Sequence, residues 1–88
     1  MSKIFTGEEA KLLVNLSYNL RYTIMDKNTS AAAVARKAGI NPSTLRSYIR
    51  GDVLADQTMI ERLAAALDCT PDDLTKEYDY RMPGTSED

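Results

Sequence analysis

Residues 41–51 limit most strongly what this chain can fold into, because they contain a complete set of signals for one short helix. Asn41 can accept a hydrogen bond from the unpaired N–H groups of a first turn, and Pro42 suits the first helical position because its missing N–H is not needed there. Gly51 can adopt the left-handed conformation that ends a helix. The segment therefore predicts a helix over residues 42–50.

This predicted helix has one apolar and one polar face at about 100° per residue. Leu45 and Tyr48 share the apolar face, with Ile49 at its margin. The opposite face is small, hydroxylated and cationic, and it carries Pro42, Ser43, Arg46, Ser47 and Arg50. Hydroxyl and guanidinium groups bond to base edges and phosphates, and small neighbours allow a close approach to a major groove. Taken alone, the pattern fits an ordinary solvated helix surface equally well.

Four further helices are predicted from capping residues on either side of this segment. Thr6 and Glu9 form a capping box, which opens a helix that ends near residue 26 or 27. The other helices begin after Ser30, Asp56 and Thr70; they cover residues 31–38, residues 57–67 and a stretch that starts at Pro71. No strand-like alternation or repeat accompanies them. The predicted fold is therefore all-α, a compact bundle of five helices.

Helical spacing of apolar residues predicts which side of each helix faces the core. In the first helix we expect Leu13, Leu16 or Ser17, Leu20 and Ile24 inside, and Asn15, Asn19, Arg21 and Tyr22 on other sides. In the other helices we expect Val34, Ala35, Ala38, Ile60, Leu63, Ala64, Leu67 and Leu74 inside, with Ile40 below the turn and Met59 and Tyr78 beside the core. These residues are enough for one modest core.

A chain of 88 residues accommodates one domain. We predict a single domain over residues 1–82, with its core in residues 15–75, and a flexible polar tail over residues 83–88. The longest apolar stretches are far shorter than a membrane span, and residues 1–6 lack the apolar region of a signal peptide. We therefore expect a cytoplasmic protein without a membrane segment.

The reactive residues argue against an enzyme and against a metal site. The chain has one cysteine, Cys69, and no histidine, so we predict no disulfide and no zinc site. Cys69 stands in an apolar setting at a helix end, which favours a buried structural side chain over a reactive thiol. The carboxylate pairs at residues 8–9 and 72–73 stand at helix starts, where capping explains them. No cofactor-binding motif is present, so no cofactor is expected.

Charge is distributed unevenly along the chain. Residues 21–50 contain six basic residues and one acidic residue, a net charge of +5, whereas residues 51–88 contain three basic and ten acidic residues, a net charge of −7. A basic region around the 42–50 helix would attract phosphate, and the acidic region would face away from it.

Residues 29–74 resemble the Cro/C1-type (Xre-family) helix-turn-helix domain of phage repressors and small bacterial regulators. The matching features run in order without a gap: Ser30 as cap, Val34-Ala35, Gly39-Ile40-Asn41 in the turn, Ser43-Thr44-Leu45, Arg50-Gly51, Leu63-Ala64 with Leu67, and Thr70 with Asp73-Leu74. The resemblance covers about half of the chain directly, and it implies the lambda-repressor-like fold.

The resemblance also implies roles for individual residues. The base-reading positions of the family fall on Pro42, Ser43, Arg46 and Ser47, and its phosphate-binding positions fall on Ser30, Ala31, Asn41, Thr44 and Arg50. Arg46 is the main candidate for base recognition, because it can make a forked contact with guanine. Arg36 and Lys37 would add long-range electrostatic attraction, although a plain solvated role explains them as well.

Three departures from the family pattern affect this interpretation. Ala31 replaces a frequent glutamine, which leaves only the helix N-terminus for a phosphate contact at that position. Asp52 lies in a loop that usually approaches the DNA backbone, where its charge would repel phosphate. Ile24 and Ile49 replace an arginine and a glutamate that form an ion pair in the family, and two aliphatic side chains can replace such a pair without loss of stability.

The resemblance implies a sequence-specific transcriptional regulator that binds double-stranded DNA, as a homodimer on a two-fold symmetric operator. The dimer contact could come from the fifth helix with residues 78–82, or from the outer surface of the first helix. A protein-interaction module, such as an antirepressor or an antitoxin with a regulatory protein partner, is the alternative. The departures at Ala31 and Asp52 favour this alternative.

Overall fold

The computed structural model describes residues 5–78, in which the chain forms five α-helices and no strand. The helices are α1 (Gly7–Asp26), α2 (Ala31–Ala38), α3 (Pro42–Arg50), α4 (Gln57–Ala66) and α5 (Pro71–Thr75). These bounds confirm the predicted all-α fold, and the fourth helix ends one residue earlier than predicted because Leu67 is its C-cap. Residues 79–88, which include the predicted tail and most of the 78–82 segment, lie outside the described residues.

Each helix begins at the capping residue that the sequence indicates. Ser30, Asn41 and Asp56 accept hydrogen bonds from N–H groups in the first turns of α2, α3 and α4. The first and last helices carry reciprocal capping boxes, Thr6 with Glu9 and Thr70 with Asp73. Because these contacts span two or three residues, they depend on local sequence alone.

Left-handed backbone conformations separate the helices. Gly39 and Gly51 follow α2 and α3 with φ of 72° and 76°, and for Gly51 this conformation was predicted. Asn28 after α1 and Asp68 after α4 have φ of 56° and 57°, a conformation that Asn and Asp tolerate better than other non-glycine residues. The short turns fold the chain back on itself, so that α1 packs on α3 and α5, α2 packs on α3 and α4, and α4 packs on α5.

The core draws on all five helices and on the loop before α4. Its buried apolar residues are Leu16, Leu20, Val34, Ala35, Leu45, Tyr48, Ala55, Ile60, Leu63, Ala64, Leu67 and Leu74. Ala38, Ile40, Met59 and the isoleucines at positions 24 and 49 are half-buried against them. The two isoleucines thus pack on the core where the family pattern has an ion pair. None of these helices has the length and apolar content required to cross a bilayer, as far as residues 5–78 are concerned.

The inner face of α1 differs from the prediction at Asn19. We expected Asn19 away from the core, but it is only 4% exposed. Its Nδ2 group donates to the backbone oxygens of Leu74 (3.0 Å) and Lys76 (2.8 Å), and thereby satisfies carbonyls at the end of α5. Four residues earlier, Asn15 Oδ1 accepts from the Tyr78 N–H at 3.1 Å. The two asparagines hold the chain after α5 along α1, whereas Leu13 of the predicted stripe is only half-buried.

Cys69 is half-buried and packs against the core beside Asp68 and Thr70. Burial, followed by the negative charge of Asp73, raises the pKa of its thiol. The thiol is therefore protonated near neutral pH, although the side chain is half-buried where the sequence predicted a buried one.

Candidate nucleic-acid-binding surface

The position of α3 is determined by its apolar face. Leu45 is fully buried and Tyr48 is 7% exposed, so the opposite face of the helix must point away from the bundle. Burial, followed by the negative charge of Asp56, raises the pKa of the Tyr48 phenol, which therefore stays neutral in the core. The helix is thus a rigid element, suited to present side chains at a defined position.

The four predicted base-reading residues share the outer face of α3 at its N-terminal end. Pro42, Ser43 and Arg46 are exposed, and Ser47 is half-buried. The Ser47 hydroxyl donates to the Ser43 carbonyl at 3.1 Å, so its oxygen keeps its capacity to accept. The face therefore offers one hydroxyl, one acceptor oxygen and one guanidinium fork, and it has no bulky side chain that would keep the helix backbone away from a groove floor.

Most of the predicted phosphate-binding residues lie at helix starts. Asn41 Oδ1 accepts from the Ser43 N–H at 2.8 Å, which leaves the two Nδ2 hydrogens available as donors. Ser30 uses its hydroxyl oxygen as the cap of α2. Ala31 is half-buried against the core and can offer only its backbone N–H, which has no acceptor within the helix. Thr44 is half-buried on α3, one residue after Ser43.

The remaining predicted phosphate contact, Arg50, already has an anionic partner. Its Nε donates to Asp52 Oδ2 at 2.8 Å. Asp52 was expected to repel phosphate from this loop, and the geometry adds a second effect, since its carboxylate engages the cation nearest to it. Arg36 and Lys37, exposed in the last turn of α2, and Arg46 form no ion pair within residues 5–78.

Two residues of α1 that the sequence analysis did not place at this surface hold the end of α3. The Ser17 hydroxyl donates to the Ile49 carbonyl, and Arg21 Nε donates to the same oxygen at 3.2 Å. The Arg21 guanidinium also lies 5.3 Å from the centre of the Tyr18 ring, which stacks on Tyr78. A cation at a helix C-terminus complements the helix dipole. Helical periodicity contains no signal for these contacts, because they join residues about 30 positions apart.

In the part of the chain that the structure describes, no group of acidic residues and cysteine could hold a metal ion. The outer face of α3 carries the four predicted base-reading residues. This face has Pro42, Ser43 and Arg46 exposed and Ser47 half-buried, and Arg50 is exposed at the C-terminal end of the helix.

Comparisons with known proteins bear on the same region. The family model HTH_3, described as Helix-turn-helix, matches residues 20–74, which contain every candidate residue of the surface. The restriction-modification controller protein C.AhdI from Aeromonas hydrophila has a similar structure, with 31% identity, a TM-score of 0.68, and 70% of this chain and 94% of that chain covered. The hypothetical transcription factor NHTF from Neisseria is 25% identical, with a TM-score of 0.73 and 88% of each chain covered. No curated protein matches the chain.

Proposed function

The chain belongs to the Cro/C1-type helix-turn-helix family, and on this basis we propose that it is a sequence-specific DNA-binding transcriptional regulator that inserts α3 into the major groove. One observation carries the proposal: Ser43 and Arg46 are exposed on a helix whose opposite face is buried. Two similar structures, a restriction-modification controller and a hypothetical transcription factor, support a regulatory role.

Arg46 is the principal base-reading residue of this proposal. Its guanidinium is exposed, has no ion-pair partner within residues 5–78 and can fork onto guanine O6 and N7. Pro42, Ser43 and Ser47 line the same face and contact neighbouring bases directly or through water. One forked contact contributes about 1–3 kcal/mol of discrimination between bases.

Phosphate contacts orient the domain on the duplex. They come from the N-terminus of α2 and from both ends of α3, at Ser30, Ala31, Asn41, Thr44 and Arg50. Arg36 and Lys37 add attraction at longer range. Since such contacts are indifferent to sequence, they set the affinity for any duplex and leave recognition to the outer face of α3.

We further propose that the protein binds as a dimer to a two-fold symmetric operator, with half-sites about one helical turn apart. A single module of this size buries limited surface on DNA, which supports a requirement for two copies. Sedimentation equilibrium with and without operator DNA tests this point, because a monomer on a single half-site would contradict it.

The decisive experiment is selection from a random pool of duplex DNA, followed by binding of the selected and a scrambled duplex at two salt concentrations. We expect a two-fold symmetric site to be enriched. The Arg46→Ala variant should lose about 5- to 150-fold in preference for that site, which corresponds to the loss of one forked contact. The affinity of the wild type should fall steeply with salt.

A matched control is Arg36→Ala, which removes the same charge from an exposed residue outside α3. It should weaken binding to the selected and the scrambled duplex by the same small factor. If Arg46→Ala also weakened binding to the selected and the scrambled duplex by the same factor, this would argue against base reading by Arg46. Failure to enrich any sequence would refute the regulator and favour the protein-interaction module, for which the Arg50–Asp52 pair is the supporting observation.

A further inference from the structure

Arg50 and Asp52 form an exposed ion pair at the end of α3. Arg50 Nε and Asp52 Oδ2 are 2.8 Å apart, and the two side chains are 59% and 54% exposed. This distance is that of a charge-assisted hydrogen bond, so the Nε donor of Arg50 is occupied. The guanidinium at this position is thus part of a neutral pair.

The backbone places Asp52 beside Arg50. Gly51, in the left-handed conformation, donates its N–H to the Tyr48 carbonyl at 3.1 Å, and the Asp52 N–H donates to the Ser47 carbonyl at 2.9 Å. Two such bonds after a helix are the Schellman motif, which determines the direction of the chain beyond the helix. The carboxylate therefore stays close to Arg50 without the ordering of a flexible loop.

A carboxylate and a phosphate compete for the same group on arginine. The carboxylate is planar and the phosphate is tetrahedral, but each presents two oxygens that a guanidinium can bind through paired N–H donors. If DNA approaches the end of α3, a phosphate can use the paired Nε and Nη donors of Arg50 only after Asp52 has left Nε, and the carboxylate remains near the negatively charged backbone in either case. Both effects reduce the gain from the contact.

We propose that Asp52 is an intramolecular competitor of DNA phosphate at Arg50 and thereby sets the affinity and the salt dependence of DNA binding. This inference rests on the proposed function and adds to it one residue that determines the affinity for DNA. Asp52 weakens binding to every duplex, whatever its sequence, because the contact that it opposes is a backbone contact. The result is weaker binding to non-specific DNA.

The test uses Asp52→Asn, which keeps the shape of the side chain and removes its charge. Binding of the full chain to the selected and the scrambled duplex is measured between 50 and 200 mM salt. We expect about three- to tenfold tighter binding to both duplexes at low salt, and a salt slope steeper by about 0.9, as for one additional phosphate contact. Between 50 and 200 mM salt, the affinity of Asp52→Asn should therefore fall by a factor about 3.5 times larger than that of the wild type.

Two controls separate competition from a general effect of charge. Glu61→Gln removes one negative charge from an exposed position on α4 and should change affinity and slope much less. In the Arg50→Ala background, Asp52→Asn should bring a clearly smaller gain, because only the repulsion between the carboxylate and the DNA backbone is then relieved. Urea unfolding of each variant verifies that the domain remains folded.

The outcomes distinguish this inference from the proposed function. If the wild type prefers the selected site but Asp52→Asn binds no more tightly, the inference is wrong and the function stands. A gain of the same size in the Arg50→Ala background as in the wild type also overturns the inference. If no sequence is preferred, yet Asp52→Asn binds the scrambled duplex more tightly with a steeper slope, the competition stands and sequence-specific regulation fails. If no duplex binds, both are refuted.

Discussion

Replacement of Asn19 by alanine should destabilise this domain far more than an asparagine on a helix usually does. Asn19 is 4% exposed, and its Nδ2 group donates to two backbone oxygens, those of Leu74 at 3.0 Å and Lys76 at 2.8 Å. Alanine removes both bonds and leaves the carbonyls at the end of α5 without the donor that satisfied them.

The expected cost follows from these two bonds. A hydrogen bond of this kind contributes about 1 kcal/mol to the free energy of unfolding, and a buried carbonyl left without a partner adds about 1–3 kcal/mol. The Leu74 bond is buried and the Lys76 bond is partly buried. We therefore expect a loss of about 3 kcal/mol, or a fall in Tm of about 12–24 °C for a domain of this size.

The measurement is urea unfolding followed by circular dichroism, with Asn15→Ala as the matched variant. Asn15 lies one turn earlier on α1 and makes one partly buried bond, to the Tyr78 N–H at 3.1 Å. Its replacement should cost about 1 kcal/mol. Asn19→Asp should cost more than Asn19→Ala, because a carboxylate would face two carbonyl oxygens. Equal losses for Asn19→Ala and Asn15→Ala would refute the reasoning.

Three further predictions concern local features. Since the pKa of Tyr48 is raised above its ordinary value of 10.0, mainly by burial and then by Asp56, the folded state keeps a proton that the unfolded chain loses. The stability due to this group is therefore complete below pH 10 and declines as the pH rises towards the folded pKa. The urea midpoint of unfolding should fall less steeply above pH 10 in Tyr48→Phe than in the wild type. An equal fall in both proteins would contradict this. Burial raises the pKa of Cys69, so iodoacetamide should alkylate the native protein at pH 8 more slowly than the urea-unfolded chain, as measured by mass spectrometry; equal rates would contradict this. Gly39→Ala and Gly51→Ala should each lower the free energy of unfolding by about 1 kcal/mol through the strain of a left-handed residue. No steric clash adds to this cost, because an added methyl group meets no atom closer than 3.7 Å at Gly51 and none within 4 Å at Gly39. An unchanged urea midpoint would contradict this.

The sequence by itself determined where the helices begin and end. Ser30, Asn41 and Asp56 cap helices through bonds to residues two or three positions away, and such contacts need no other part of the fold. The apolar face of α3 was equally predictable, because Leu45 and Tyr48 recur at helical spacing. Together, these local signals specified the helix-turn-helix and the residues on its outer face.

Side-chain pairing at the end of α3 was less accessible from the sequence. Asp52 was recognised as a negative charge in an unfavourable place, but its hydrogen bond with Arg50 depends on how Gly51 turns the chain and on the rotamers of two exposed side chains. Charge counting shows that opposite charges are near each other along the chain. It does not show which atoms meet.

Only the tertiary structure decided which polar groups of α1 face inward. Ser17 reaches the Ile49 carbonyl across 32 residues, and Asn19 reaches the Leu74 carbonyl across 55. Helical spacing left Leu16 or Ser17 open for the inner stripe and placed Asn19 on another side, because an unpaired polar group is costly to bury. Here the partners are helix-terminal carbonyls that arrive from distant segments only after the bundle has formed, and so their bonds to α1 are a property of the packed domain.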